Sequence, residues 1–365
     1  MKAADWIRTL AVTALVASAC DSTPSVATAP SPSASPSASV SPTPAANPCP
    51  PPSNRCLAIA AIRGTNPWVL RDITNISQAK TISTFMTSPP QFVSGAELSY
   101  GDETGLYRMP LSGSPKTLVS KSGQGVSLFD WSPSGKSVAY LAPSGSGMAL
   151  HLQSGGQDRA ITGSIPSLPT VGCESQFCGQ DWELRLSYSP DGAFISLVES
   201  LAGVSAFRLW SSDGKVLVSS DSASRPMSTW SGRTFYFAGA KGVDMWRDGV
   251  TSSFLPGVTW IRPNASSAGG QIAYEAKDAQ GWSHIFVVDT TSREVRELKK
   301  GRSAPVFLTS RYLWYKGQRA CVVTDACPSG WTVVDSGKSY IYDLQDNTET
   351  ESVISSVFDV WPHPA

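Results

Sequence analysis

From residue 56 onward the apolar residues come in short runs, each ended by a cluster of Gly, Pro, Ser or Asp. Runs this short predict β-strands joined by tight turns, because a helix needs apolar positions three and four apart over a longer stretch. Two units show the order most plainly. The first reads Ser127-Leu-Phe-Asp-Trp-Ser-Pro-Ser-Gly135, Lys136-Ser-Val-Ala-Tyr-Leu141, Met148-Ala-Leu-His-Leu-Gln153 and Arg159-Ala-Ile-Thr162. The second reads Leu184-Arg-Leu-Ser-Tyr-Ser-Pro-Asp-Gly192, Ala193-Phe-Ile-Ser-Leu-Val198, Ala206-Phe-Arg-Leu-Trp210 and Lys215-Val-Leu-Val-Ser219.

Weaker units parse in the same order, beginning at Gln91, Met227, Val258 and Pro305, which makes six. The ends supply a seventh. Cys56–Ile62, Trp68–Arg71 and Thr81–Phe85 give three strands with no inner strand ahead of them, and Ser356–Pro362 is a lone inner strand with nothing after it. Four strands per period of about 30 to 50 residues is the signature of propeller blades. Pairing the last strand with the first three closes the ring and leaves no half-built blade with open edges. The expected fold is therefore all-β, a β-propeller of seven four-stranded blades with blade 1 closed by the C-terminal strand. Six or eight blades are the alternatives, because 301–355 is irregular.

Trp131-Ser-Pro-Ser-Gly135 and Tyr188-Ser-Pro-Asp-Gly192, each followed by an apolar strand, resemble the repeat of TolB-like propellers, also called WD40-like or PD40 repeats. In that repeat Pro fixes φ and Gly accepts positive φ in the turn after the inner strand. The resemblance implies that Trp131, Tyr188, Trp230, Trp260 and Trp361 pack between blades, and that Asp130 and Asp359 are turn or interblade hydrogen-bonding groups. It does not extend to the α/β domain that precedes the propeller in TolB itself.

The first fifty residues differ in character. Lys2 and Arg8 precede an apolar run from Leu10 to Ala17, and Ser18 and Ala19 precede Cys20, which reads as a secretory signal over residues 1–20. Val16-Ala17-Ser18-Ala19-Cys20 resembles a bacterial lipobox, with Ala17 where Leu is usual. It implies a diacylglyceryl group on Cys20, and an incidental Cys behind an ordinary secretion signal is the alternative. Residues 21–52 are Ser, Pro, Ala and Thr for the most part and hold too few apolar side chains for a core. They are expected to form a disordered stalk with a reach of roughly 90 Å, followed by the propeller at 53–365. The protein is then exported and held by its lipid anchor on the outer face of the cytoplasmic membrane.

Setting Cys20 aside leaves six cysteines in three close pairs: Cys49 with Cys56, Cys173 with Cys178, and Cys321 with Cys327. An oxidising compartment makes disulfides the expected state. No pair is C-x-x-C and the chain has only His151, His284 and His363, so zinc is not expected. Each small loop removes on the order of 2 kcal/mol of unfolded-state entropy, which points to local rigidity.

Net charge is zero and Lys and Arg are scattered, so nucleic acid is not an expected partner. There is no G-x-S-x-G elbow, no H-E-x-x-H and no phosphate-binding glycine loop, so no catalytic residue, metal or cofactor is assigned. His151 and His284 fall on third strands, where a partly buried, hydrogen-bonded role is expected. The remaining candidates are two long loops. Cys173 and Cys178, with Phe177 and Trp182, lie between blades 3 and 4; Cys321 and Cys327, with Trp331, lie between the second and third strands of blade 7. Strand alternation sends both loops out of one face. Rigid aromatic loops there suit recognition of a protein or cell-envelope glycan; simple stapling of long insertions is the alternative. An enzyme using channel-mouth carboxylates on a sugar or lactone is the competing function.

Overall fold

The computed structural model describes Cys49 and residues 55–65, 67–85, 90–121, 128–144, 147–161, 165–166, 183–201, 204–222, 227–322 and 332–363. Seven antiparallel sheets are present, each with four strands in sequence order from the inside outward. Blade 1 is the exception in connectivity, since its inner strand is Ile354–Trp361 and the next three are Leu57–Ile62, Trp68–Asp72 and Lys80–Phe85. The C-terminal strand pairs with Leu57–Ile62 from Leu57↔Trp361 to Ile62↔Ile354. The expected closure is therefore present. Blade 3 carries one addition, a two-residue strand at Ile165–Pro166 beside the start of its third strand.

Short runs ended by turn residues did become strands, and the turns formed as their composition demands. In the two clearest repeats Gly135 and Gly192 sit at φ +65° and +72°, where an L side chain is strained. Their N–H groups donate to Ser132 O and Ser189 O at 2.7 and 2.8 Å. The irregular 301–355 segment is blade 7, whose second and third strands are lengthened to Tyr312–Ala320 and Val333–Asp343. Blade 5 has an outer strand, Val250–Pro256, that the apolar pattern did not signal, because Val250 to Ser253 are exposed.

The core is divided among the seams between blades rather than gathered in one place. Each seam holds its own cluster of buried apolar side chains, seven clusters for seven seams among the described residues. Trp131 packs in the seam between blades 2 and 3, Tyr188 in the next, and Trp230 in the one after. Each faces the preceding blade from the same place on its inner strand. Two of the expected aromatics are out of that register. In blade 6 the equivalent place is held by Ala265, and Trp260 fills the seam from ahead of the inner strand, its Nε1–H donating to Met227 O at 3.0 Å. In blade 1 it is held by Val360, while Trp361 turns the other way, onto the seam with blade 2. Val360 and Trp361 are consecutive in a regular stretch of strand, so they face opposite ways.

Cys49 and Cys56 form a disulfide, and both are wholly buried in the apolar cluster between blades 7 and 1. The packed body thus reaches back to Cys49. The bond does more than shape a loop, since it pins the incoming chain to the seam that the terminal strand closes. Cys321 is also disulfide-bonded; Cys327, Cys173 and Cys178 lie outside the described residues, as do Cys20 and the rest of 1–48.

Removing residues 354–365 takes away the inner strand of blade 1 and exposes the edge of Leu57–Ile62. A chain ending at Val353 is expected to lose its cooperative thermal transition, measured by circular dichroism. A sharp transition within a few degrees of the full chain would show that the terminal strand is dispensable.

Candidate functional site

Strand alternation places the loops between blades, and the loops joining second to third strands, on one face. Val322 and Thr332, which flank the long blade 7 insertion in sequence, lie on that face. Beside them, between blades 6 and 7, lies a polar cavity of about 340 Å³. Its floor is Glu275, on the second strand of blade 6 and only 1% exposed. A buried carboxylate is costly unless its oxygens are paired, and here they are. Ser283 Oγ–H donates to one oxygen at 2.6 Å, while Arg262 Nη1 and the Ala304 N–H donate to the other at 3.2 and 3.0 Å.

Two matching distortions make this arrangement possible. Arg262 and Ala304 begin the inner strands of blades 6 and 7, each precedes a proline, and each has positive φ, +47° and +54°. Both strands are bulged at this point, so residues at the bulge leave the ladder. The Ala304 N–H becomes free for Glu275, and the Arg262 guanidinium reaches over the same carboxylate while its side chain stays 46% exposed to the cavity. Gln318 locks the other wall, accepting from Ser283 N–H and donating to Ser283 Oγ, both at 2.9 Å.

Lys277 and Lys316 complete the rim. Lys316 is loosely paired with Asp335 at 3.5 Å, and Lys277 has no acidic partner among the described residues. With Glu275 offset by Arg262, the cavity has one unneutralised cation and is held rigidly from beneath. It can receive an acidic group and orient it.

The channel-side residues form the second concentration of charge. Asp130 and Asp359 occupy equivalent places on the inner strands of blades 3 and 1, each just before the residue that faces the preceding seam. Tyr188 N–H donates to Asp130 Oδ2 at 2.6 Å, and Phe92 N–H donates to Asp359 Oδ2 at 2.7 Å. Asn264 does the same for Phe307 N–H at 2.7 Å. These are interblade bonds, as the repeat implies. His363 joins the two carboxylates, with Nε2 at 3.4 Å from Asp359 Oδ1. Burial pushes Asp130 up to about 6, with the nearby Asp359 charge adding to the rise and His363 and the Tyr188 N–H opposing it. Burial alone would lower the His363 imidazole, but Asp359 and Asp130 outweigh it and hold it above its usual value. No three His, Cys, Asp or Glu side chains among the described residues are arranged to hold a metal ion.

His151 and His284 are partly buried and hydrogen-bonded, as expected. His151 pairs with Asp158 at 3.2 Å, and His284 with Glu297 at 2.7 Å and Asp278 at 3.2 Å. The candidate binding residues Phe177, Trp182 and Trp331 lie outside the described residues. Of the cavity, the sequence reading found only its neighbour, the Cys321 loop. Arg262, Glu275, Lys277 and Lys316 were missed because they come from four strands in two blades. The one local signal was Arg262-Pro263 and Ala304-Pro305 at matching points of successive units.

No family model matches the chain, and no curated protein matches it. Solved structures do share its architecture. A prolyl endopeptidase structure is 12% identical with a TM-score of 0.51, over 81% of this chain and 49% of its own, so this chain spans about half the length of that protein. TolB from Acinetobacter baumannii is 14% identical with a TM-score of 0.43, over 83% of this chain and 80% of its own. The β-propeller domain of the Trilobed protease from Pyrococcus furiosus is 11% identical with a TM-score of 0.48, over 72% and 83%. The chain is a seven-bladed β-propeller with distant structural similarity to TolB and prolyl oligopeptidase propellers, a likeness of fold alone.

Because Asn264 already plays the part of Asp130 in another blade, Asp130→Asn should keep the acceptor for Tyr188 N–H and preserve the fold. Asp130→Ala leaves that N–H unpaired and should cost about 1 to 3 kcal/mol. The raised Asp130 carboxyl favours the folded state below its unfolded value of 3.8, an advantage lost as pH rises through about 6. Asp130→Asn should therefore gain on the wild type between pH 4 and 7 in chemical denaturation. Parallel stability curves would show that Asp130 is not so perturbed.

Proposed function

We propose that this protein is an exported, lipid-anchored binding module that holds an acidic group of a partner protein or cell-envelope polymer against the face bearing the blade 7 insertion. The observation that carries the reading is the cavity between blades 6 and 7. It is rigid, cationic at its rim, and adjacent to a disulfide-bonded loop. Preorganised charge on a fixed scaffold lowers the ordering cost of binding. The Cys20 anchor and the Pro-rich stalk would tether the propeller to the membrane.

A second reading, an enzyme acting on a sugar or lactone, draws on the approach of Asp130, Asp359 and His363 in the channel. Binding is favoured over it because both carboxylates already accept backbone N–H groups that have no other partner, which fixes them as structural.

Two measurements test the reading. Cys20→Ala should abolish incorporation of an alkyne-tagged fatty acid and release the protein from membranes; continued labelling would remove the anchor. Lys277→Glu with Lys316→Glu should weaken co-sedimentation of the full protein with isolated cell-wall polymer at least tenfold at low salt, with an unchanged melting temperature. Equal sedimentation by the variant and the wild type would rule out this cavity as the contact.

A further inference from the structure

A second groove, of about 560 Å³, is not on this face. It lies between blades 3 and 4 on the opposite face, where the inner-to-second and third-to-outer turns of both blades emerge. Its volume falls within the roughly 300 to 1,000 Å³ typical of small-molecule sites, but its lining does not suit an apolar ligand. Serine hydroxyls from three turns line it, at Ser132, Ser134, Ser137, Ser154 and Ser212, with the Gln157 amide between them. Pro133 and Leu152 are the only aliphatic side chains longer than Ala in the lining.

The charged groups there are already engaged. Arg159 Nη2 donates to Asp213 O at 3.1 Å, Asp213 accepts from the Ser211 hydroxyl, and Asp191 lies 3.4 Å from Arg233 and accepts from the Ser189 hydroxyl. Gln157 and Ser212, in contrast, are exposed and make no side-chain hydrogen bond with any described residue. What remains open to a ligand is therefore uncharged, with donors and acceptors interspersed.

A second, independent feature lies beneath. Tyr188 lines the groove, is 6% exposed, and its hydroxyl has no hydrogen-bond partner among the described residues. Trp210 belongs to the same buried cluster, and its Nε1–H has no partner either. Both polar atoms are sealed from solvent, so the groove rests on a buried layer that already carries the standing cost of unpaired donors.

We propose that the groove between blades 3 and 4 binds a neutral oligosaccharide. A polyol matches a wall of short hydroxyls and one amide, and it needs neither the apolar surface nor the free charge that this groove lacks. The site is independent of the blade 6 to 7 cavity and stands or falls separately from it.

Isothermal titration and ligand-observed saturation-transfer NMR of the full protein with chitotriose (N-acetylated), maltotriose and mannotriose test the proposal. At least one should bind with millimolar or better affinity. Ser134→Trp, on an exposed turn at the rim, should fill the groove and weaken binding at least tenfold without lowering the melting temperature. Gln157→Ala should weaken it several-fold, and Lys277→Glu with Lys316→Glu should leave it unchanged. No binding of any of the three at 10 mM (about 2.7 kcal/mol in standard free energy), or equal binding by wild type, Ser134→Trp and Gln157→Ala, overturns it.

Discussion

An innermost β-strand in a propeller has a sheet partner on one side only, and its other edge carries backbone N–H groups that face neither water freely nor another strand. Left unpaired, each would cost about as much as a lost hydrogen bond. In blades 2, 4 and 7 this chain meets the constraint by lending the edge an acceptor from the neighbouring blade. Asp359, Asp130 and Asn264 serve Phe92, Tyr188 and Phe307, and Glu275 serves Ala304 where the strand is bulged. The remaining four seams are tied the other way round, by side-chain donors. Arg108 reaches Gly135 O, and Trp230, Trp260 and Trp314 donate their Nε1–H to Ser196 Oγ, Met227 O and Ile354 O. Every blade is thus tied to the next by a directional bond set beside an apolar cluster.

Those ties also explain where ligand space can exist. Seams are the only places where side chains from two sheets meet at the surface, and their depths are fixed by buried groups that cannot shift without losing a partner. The blade 6 to 7 cavity rests on Glu275, whose hydrogen bonds span both blades. The blade 3 to 4 groove rests on Tyr188, whose N–H is tied and whose hydroxyl is not. One seam gives a cationic recess beside the long insertion, and the other gives a neutral, hydroxyl-lined recess on the opposite face. The channel, in contrast, spends its carboxylates on holding the ring together.

Much of the architecture was legible in the sequence because it depends on local chemistry. Pro and Gly in Ser-Pro-x-Gly fix a turn whatever surrounds it, and a strand pattern repeated in order makes blades countable. Even the closure could be read, since Phe358-Asp359-Val360 repeats Phe129-Asp130-Trp131. Aligning by tryptophan, however, misplaces Trp361 by one residue and Trp260 by five, because the conserved physical need is something filling the seam, and Val360 and Ala265 meet it with help from elsewhere. The outer strand Val250–Pro256 left no apolar signal because its outer edge faces solvent. The cavity residues were invisible for a different reason, since no spacing in one strand encodes a meeting of Arg262, Glu275, Lys277 and Lys316 across two sheets. The buried seat of the Cys49–Cys56 disulfide also depends on Leu308 and Trp314, far away in the chain.

The central claim is that, in blades 2, 4 and 7, side chains of the preceding blade cap the free inner edge. Amide hydrogen exchange resolved to single residues measures it directly. Phe92, Tyr188 and Phe307 should be protected nearly as well as amides inside the sheet ladders of the same blades, opening only with global unfolding. Exchange of these three amides at the rate of exposed edge strands, with the ladder amides still protected, would contradict the account.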